Sequence, residues 1–265
     1  MPSQRHSAFR AAVASTVAPA LGTWIKLPAM ESVELIARAG FDFVVIDLEH
    51  SAMSTESAYR QIGVASLSGM SPIVRVPNLD GGLVARLLDA GAEGIMLPHV
   101  DTVAQAEAAV RAMRFPPIGS RGVGPTGRAG GWGALPREEY VRFAQEEVVL
   151  IAQIESASAA RNAGAIAAVA GVDALLIGAA DLSMSEGRDE SDPVIVSMIA
   201  QAVHDTRMAG KPIGNSGPAS AAAVRYAADA GFSFTLMSND ASLLGGAAAE
   251  AVATGRSIGY AGEIS

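Results

Sequence analysis

Val148-Val149-Leu150-Ile151-Ala152-Gln153-Ile154-Glu155-Ser156 and Ala174-Leu175-Leu176-Ile177-Gly178-Ala179-Ala180-Asp181-Leu182-Ser183 decide the fold of this chain. Each begins as an apolar run of strand length and soon meets a carboxylate. A run without polar alternation is what a strand buried on both faces of a parallel sheet requires. Glu155 and Asp181 stand 26 positions apart, about one strand-helix-strand repeat, so the two strands read as parallel neighbours. Neighbouring strand ends lie roughly 5 Å apart. A carboxylate at the end of a buried strand needs a partner, because desolvating an unpaired charge is costly. Two at that separation can share one hard divalent cation.

The same alternation runs outward in both directions. Residues 1–20 are a polar, Ala-rich lead-in with a short helix ending at Pro19. Strands are expected over 21–27, 41–48, 71–76 and 94–97, with helical spacing over 31–39, 55–67, 82–90 and 102–114. An irregular Gly/Pro-rich segment, 115–136, precedes a helix near 137–147. Beyond the first decisive strand, helices are expected over 157–170, 193–209, 219–230 and 241–253, and strands over 212–215 and 232–237. Eight strands, each followed by a helix, predict right-handed parallel units that close as a (β/α)8 TIM barrel. No linker divides the chain, so one domain over 1–265 is expected. An open doubly wound sheet is the alternative, but no Gly-x-Gly-x-x-Gly follows the first strand to support it.

Composition narrows the function. The 27 acidic and 19 basic residues give a net charge of −8, which argues against nucleic acid or an anionic membrane as a partner. There is no cysteine, which excludes disulfides, thiolate catalysis and sulfur-ligated metals. No basic-then-apolar leader is seen, and no apolar run reaches the length of about 18 residues that spans a bilayer. A cytoplasmic protein is expected.

In a barrel of this kind catalytic groups sit at the C-terminal strand ends. Those ends carry Trp24 and Lys26; Asp47, Glu49 and His50; Arg75; Pro98 and His99; Glu155; Asp181; Asn215; and Ser238 and Asn239. The strand interiors, by contrast, are almost wholly apolar.

Several stretches along this frame carry a resemblance. They are Ala39-Gly40-Phe41-Asp42-Phe43 leading into Ile46-Asp47-Leu48-Glu49-His50, then Val74-Arg75-Val76-Pro77 and Leu87-Leu88-Asp89-Ala90-Gly91-Ala92. Arg121-Gly122-Val123-Gly124, Gln153-Ile154-Glu155 and Ile177-Gly178-x-x-Asp181-Leu182-Ser183 follow in order. The chain resembles the metal-dependent (class II) 2-oxo acid, or pyruvate, aldolases of the HpcH/HpaI type, whose barrel is the phosphoenolpyruvate/pyruvate-binding one.

The resemblance implies that Glu155 and Asp181 hold a divalent cation (Mg²⁺, Mn²⁺ or Co²⁺), with water and a 2-oxo acid completing the shell. It assigns Arg75 to the 2-oxo acid, and Arg is the natural bidentate clamp for a carboxylate. His50 resembles the family's base, acting through a metal-bound water on the substrate hydroxyl, with Asp47 orienting the imidazole. Asp89 matches a position that reaches the histidine of a neighbouring subunit. Trp24 and the amides around Ala180 and Asp181 would receive the substrate, its carboxylate meeting the amides. The implied reaction is reversible aldol cleavage of a 4-hydroxy-2-oxo acid to pyruvate and an aldehyde. The implied assembly is a homo-oligomer, a hexamer built as a trimer of dimers, with 241–257 exchanged between subunits.

Two features depart from the family pattern: Ala179 stands where Pro is common, and 127–133 is unusually rich in glycine. Arg121 to Gly124 reads equally as an anion-binding turn or a tight bend. His6, His99 and His204 have no partner nameable from sequence. Three other readings stay open. A Schiff-base mechanism would need an interior lysine, and the chain has only Lys26 and Lys211. A CoA-ester lyase of the malyl- or citramalyl-CoA type would share the carboxylates, though not the first strand. A non-catalytic, metal-dependent binding protein is the third.

Overall fold

A computed structural model describes residues 5–14 and 18–258. Residues 1–4, 15–17 and 259–265, parts of the expected lead-in and of the 1–265 domain, lie outside the described residues. The strands are β1 (Ala20–Ile25), β2 (Phe43–Asp47), β3 (Ser71–Arg75), β4 (Gly94–Leu97), β5 (Val149–Ile154), β6 (Ala174–Ile177), β7 (Ile213–Gly217) and β8 (Phe234–Asn239). All pair in parallel and in sequence order, and β8 returns to β1 to close the barrel. This is the expected (β/α)8 TIM barrel, and it leaves no open edge for the doubly wound alternative.

The outer ring consists of α2 (Met30–Ala39), α3 (Thr55–Leu67), α4 (Gly81–Asp89), α5 (Val103–Met113), α6 (Arg137–Arg142), α7 (Ala157–Ala167), α8 (Ala179–Ser185), α9 (Pro193–Met208), α10 (Ala221–Asp229) and α11 (Asp240–Ser257). Side-chain caps define most starts: Ser54 on α3, Asp80 on α4, Ser156 on α7, Ser220 on α10 and Asn239 on α11. Strands β5 and β6 are buried along their whole length, as their apolar runs require. Strands β7 and β8 run to Gly217 and Asn239, two residues past the expected ends, so more of the barrel mouth is strand than periodicity suggests. No described helix is long and apolar enough to cross a membrane.

One element matters more than its sequence suggests. The lead-in helix α1 (Ala8–Val13) stops short of Pro19 and plugs the N-terminal end of the barrel. Phe9 is 1 % exposed and meets Phe43 and Phe234 edge-on, with ring centroids 5.0 and 5.3 Å away. The plug is tied down by Arg10 Nη2 donating to Asp173 Oδ1 at 2.6 Å and by the Ser7 amide donating to Glu147 Oε2 at 3.0 Å. Phe9→Ala should cost about 3–5 kcal/mol of stability, the usual range for emptying an aromatic site in a core. Chemical denaturation at constant m-value checks this, and an unchanged midpoint would remove α1 from the core.

Segment 115–136 packs along the outside. Arg121, the residue left open between an anion site and a bend, donates to Asp89 Oδ1 at 2.6 Å and lies over the Phe115 ring. Arg128 Nη1 donates to the Tyr59 and Ala90 carbonyls, both at 2.8 Å, fixing the glycine-rich turn to α3 and α4.

Candidate active site

A cavity of about 450 Å³ opens at the C-terminal mouth, and its walls include Trp24, Lys26, Arg75, Gln153, Glu155 and Asp181. Topology explains the convergence. Every strand ends at this mouth, so residues distant in sequence arrive at one rim.

The first cluster joins β2 and β3. Asp47 and Arg75 are register partners at the last rung of those strands. Arg75 donates from Nε to Asp47 Oδ1 at 3.0 Å and from Nη2 to Oδ2 at 2.7 Å, a two-pronged pair. Its Nη1 stands 3.0 Å from Glu49 Oε2, and the guanidinium lies 4.2 Å over the Trp24 ring. Asp47 is 0 % exposed. Burial alone would raise its pKa, but the Arg75 hydrogen bonds and charge, with the His50 and Glu49 amides, hold it below the usual carboxylate range.

This geometry corrects two expectations. Arg75 does not present a free fork to a substrate carboxylate, because Asp47 already occupies that face; only the outer N–H groups remain for a ligand. Asp47 does not orient the His50 ring either. It accepts the His50 backbone amide at 3.1 Å, while the imidazole Nε2 faces Glu49 Oε2 at 3.7 Å. The strand-end turn brings Asp47 under the backbone of residues 49 and 50, and the ring points outward, 60 % exposed.

The second cluster joins β4, β5 and β6. Ile154 pairs with Ile177, so Glu155 at the end of β5 faces Gly178. A Cβ at Gly178 would come within 2.6 Å of Glu155 Cγ, and only glycine leaves room for that side chain. Asp181 is not at the strand end, as expected, but in the first turn of α8. Both carboxylates nevertheless line the same cavity. Burial is the largest cause raising the Glu155 pKa, and the neighbouring Asp181 and Glu49 carboxylates add to it. The His99 amide and ring act in the opposite direction.

His99, unassigned from sequence, belongs here. Its amide donates to Glu155 Oε2 at 2.9 Å, its Nδ1 stands 3.0 Å from the same oxygen, and its Nε2 is 3.6 Å from Glu49 Oε1. Its backbone is left-handed, with φ of 55°, which is uncommon outside glycine. The sequence carried one signal for it: a histidine directly after Leu97-Pro98 at a strand end. Gln153 Nε2 donates to Glu155 Oε1 at 3.0 Å, while its own Oε1 is buried and finds no partner among the described residues.

Asp89 is not brought to this mouth within the chain. It ends α4, bonded to Arg121 and 3.5 Å from the Tyr140 hydroxyl. Ala180 lines the cavity with Asp181, and Trp24 lies beneath Arg75 with its Nε1 donating to Ser216 Oγ at 3.0 Å. His6 meets Glu147 Oε1 at 2.8 Å at the opposite end, and Lys211 bonds the Val172 carbonyl there.

The donors fit a hard cation: Glu155 and Asp181 offer only oxygen ligands, and the guanidinium that shares their cavity, Arg75, is taken up by Asp47 and Glu49. No cluster of three or more His, Cys, Asp or Glu residues suited to a metal occurs among the described residues, so water and substrate would complete any shell.

Residues 20–260 match the HpcH/HpaI aldolase/citrate lyase family. The chain belongs to that family. Over 234 residues it is 42 % identical to the hydroxypyruvate/pyruvate aldolase of Chromohalobacter salexigens, covering 87 % of this chain and 91 % of that one. It is 39 % identical to a 4-hydroxy-2-oxovalerate aldolase of Rhodococcus jostii, covering 78 % and 81 %. The crystal structure of the HpcH/HpaI aldolase from Desulfitobacterium hafniense superposes with a TM-score of 0.88 at 30 % identity, over 95 % of this chain and 97 % of that one. This HpcH/HpaI chain is accordingly an enzyme, a carbon–carbon lyase of the aldolase kind.

Proposed function

We propose that the chain catalyses divalent-metal-dependent, reversible aldol cleavage of a 4-hydroxy-2-oxo acid to pyruvate, or a close relative, and an aldehyde. The observation that carries this is the pair Glu155 and Asp181 on adjacent β/α units, lining one cavity, with Glu155 buried and neither carboxylate paired to a lysine or arginine among the described residues. Relatives named as aldolases of pyruvate and of 4-hydroxy-2-oxovalerate support this reading over a CoA-ester lyase or a binding protein.

Glu155 and Asp181 would hold Mg²⁺, Mn²⁺ or Co²⁺, which when bound supplies Lewis-acid stabilisation of the charge that develops on the 2-oxo group. Gln153 and His99 fix the Glu155 carboxylate so that its position is set before substrate arrives. The outer N–H groups of Arg75 meet the 2-oxo acid from the β3 side, and the amides of Ala180 and Asp181 meet its carboxylate. Asp47 and Glu49 lock the Arg75 guanidinium in place over Trp24. His50, exposed and with Nε2 3.7 Å from Glu49 Oε2, takes the proton of the 4-hydroxyl as the carbon–carbon bond breaks; the bonding pair passes to the 2-oxo acid half as its enolate, which gains a proton at C3 to give pyruvate, and addition runs the same transfers in reverse.

Oligomerisation fits the same reading. Along α11 only Asp240 is buried, while Leu244 and Val252 face outward. An exchange of α11 between subunits of a homo-oligomer would cover that face, and Asp89 would meet His50 across such an interface.

The test couples pyruvate release from 4-hydroxy-2-oxo acids to lactate dehydrogenase, with Mg²⁺ or Mn²⁺ added. Absence of pyruvate from every such substrate would end the proposal. Within the same assay His50→Ala should lower kcat by about 10²–10⁴-fold, the range of a lost general base. Mn²⁺ binding should survive in that variant, and normal turnover would remove His50 from the chemistry.

A further inference from the structure

Trp132 is held where an indole is costly to keep. It stands in the turn Arg128–Gly133 with a left-handed backbone, φ 59°, and is 64 % exposed. A bulky residue in that conformation is strained, and such strain collects where a ligand or partner is met. The turn itself is fixed. The Trp132 amide donates to the Gly127 carbonyl at 2.9 Å, and Arg128 is bonded to the Tyr59 and Ala90 carbonyls. A large ring carried on a fixed turn loses little freedom when it docks.

The same segment cradles Asp89. A Cβ at Gly124 would come within 3.1 Å of Asp89 Oδ2, and one at Gly127 within 2.8 Å of the Asp89 carbonyl oxygen. Glycine lets the chain pass this close. Arg121 holds Asp89 Oδ1, and the carboxylate stays half-buried. Trp132 and Asp89 therefore belong to one stretch of surface, a single turn apart.

A receptor of matching character lies beside the catalytic mouth. The loops after β3 and β4 leave a second cleft, of about 210 Å³, walled by Pro77, Leu79, Leu97 and Val100, with Asn78 and His99 on it. Leu97 and Val100 are buried, while Leu79 is exposed. A single carboxylate links this cleft to the catalytic base: Glu49 Oε1 lies 3.6 Å from His99 Nε2, and Glu49 Oε2 lies 3.7 Å from His50 Nε2.

We infer that Trp132 of one copy of this chain seats in the cleft between Leu79 and Val100 of the next and anchors the interface between them. This rests on the contact of Asp89 with His50 across subunits in the aldolase reading, and it adds the group that holds the two copies together. A copy that brings its Asp89 to His50 carries its indole, one turn away, to a cleft one carboxylate away. The chemistry matches. An indole is the side chain most often found as an interface anchor in an apolar pocket. Its N–H needs an acceptor when buried, and Asn78 offers a carboxamide oxygen. The docked ring also covers His99, whose amide holds Glu155, so each mouth is completed by the neighbouring copy.

Two experiments read the contact directly. The chain has two tryptophans, so in Trp24→Phe protein the indole of Trp132 reports alone. Its fluorescence should resist acrylamide in the assembled protein and become several-fold more quenchable after Leu79→Asp. The chain also has no cysteine, so Ala134→Cys with Leu79→Cys, both at exposed positions, supplies the only thiols. A short bismaleimide should link that double variant into covalent dimers or larger species, and neither single variant should be linked. Trp132→Ala should raise the dissociation constant of the assembly by about 30-fold or more, the effect of losing an interface anchor. An indole quenched freely in the assembled protein, or a double variant that stays unlinked between copies, would overturn the inference. A chain that is monomeric at every concentration would overturn it together with the subunit contact it rests on. The aldol chemistry is judged apart from both, by pyruvate release.

Discussion

Glu155→Gln is expected to lower kcat/KM for cleavage by about 10³-fold or more, equivalent to roughly 4 kcal/mol of lost transition-state stabilisation. The amide keeps the shape of the carboxylate but removes its charge, and a neutral oxygen is a poor ligand for a hard cation. Asp181→Asn should act alike, and the double variant should be little worse than either single one, because the two residues serve one ion. Folding should survive. Glu155 is buried at the mouth, so replacing its charge with an amide relieves desolvation rather than adding to it. Normal turnover by the Glu155→Gln enzyme with metal present would contradict the role given to this residue. Unfolding of that variant would show the carboxylate to be structural instead.

The second large effect falls on stability. Arg75→Met leaves Asp47, fully buried, without its two-pronged partner and Glu49 without its nearest cation. Breaking a buried pair from one side typically costs about 3–5 kcal/mol, since the remaining charge stays desolvated. Activity should collapse as well, but the diagnostic is the coupling. Arg75→Met combined with Asp47→Asn should be more stable than Arg75→Met alone, because the buried charge left with only Lys26, 3.4 Å away, as a cationic neighbour is gone. A lysine at this position cannot reproduce the fork, so Arg75→Lys should retain only part of the stability. Denaturant midpoints for the wild type, the two single variants and the double variant decide the matter. Simple additivity would mean that the pair contributes no coupling.

Arg75 also marks the limit of what sequence conveys. The strands were legible because continuous apolar runs such as 149–152 and 174–177 suit only a buried parallel sheet, and their even repetition leaves few topologies. Glu155, directly after β5, was legible for the same reason, since a charge closing such a run is anomalous. What the residues do to one another was not. Asp47 meets Arg75 because β2 and β3 pair with an offset of 28 residues, and that register follows from packing, not from either strand alone. Without it, Arg75 read as a free clamp and Asp47 as a partner for the nearby His50. The resemblance to known aldolases named Glu155 and Asp181, which both line the cavity, yet it could not show Asp181 one helical turn beyond β6. His99 and the Phe9 plug were missed because each depends on a contact across the fold, with Glu155 in one case and with Phe43 and Phe234 in the other.

Glu155 and Asp181 together are proposed to gather one divalent ion on which cleavage depends. Titration of metal-depleted protein with Mn²⁺, followed by electron paramagnetic resonance alongside pyruvate release, puts that dependence to the test. One tightly held ion per chain is expected in the wild type, with activity rising in step with occupancy. Binding should weaken by about 100-fold or more in both Glu155→Gln and Asp181→Asn. Full activity in the metal-depleted protein, or Mn²⁺ bound equally well by both variants, would contradict it.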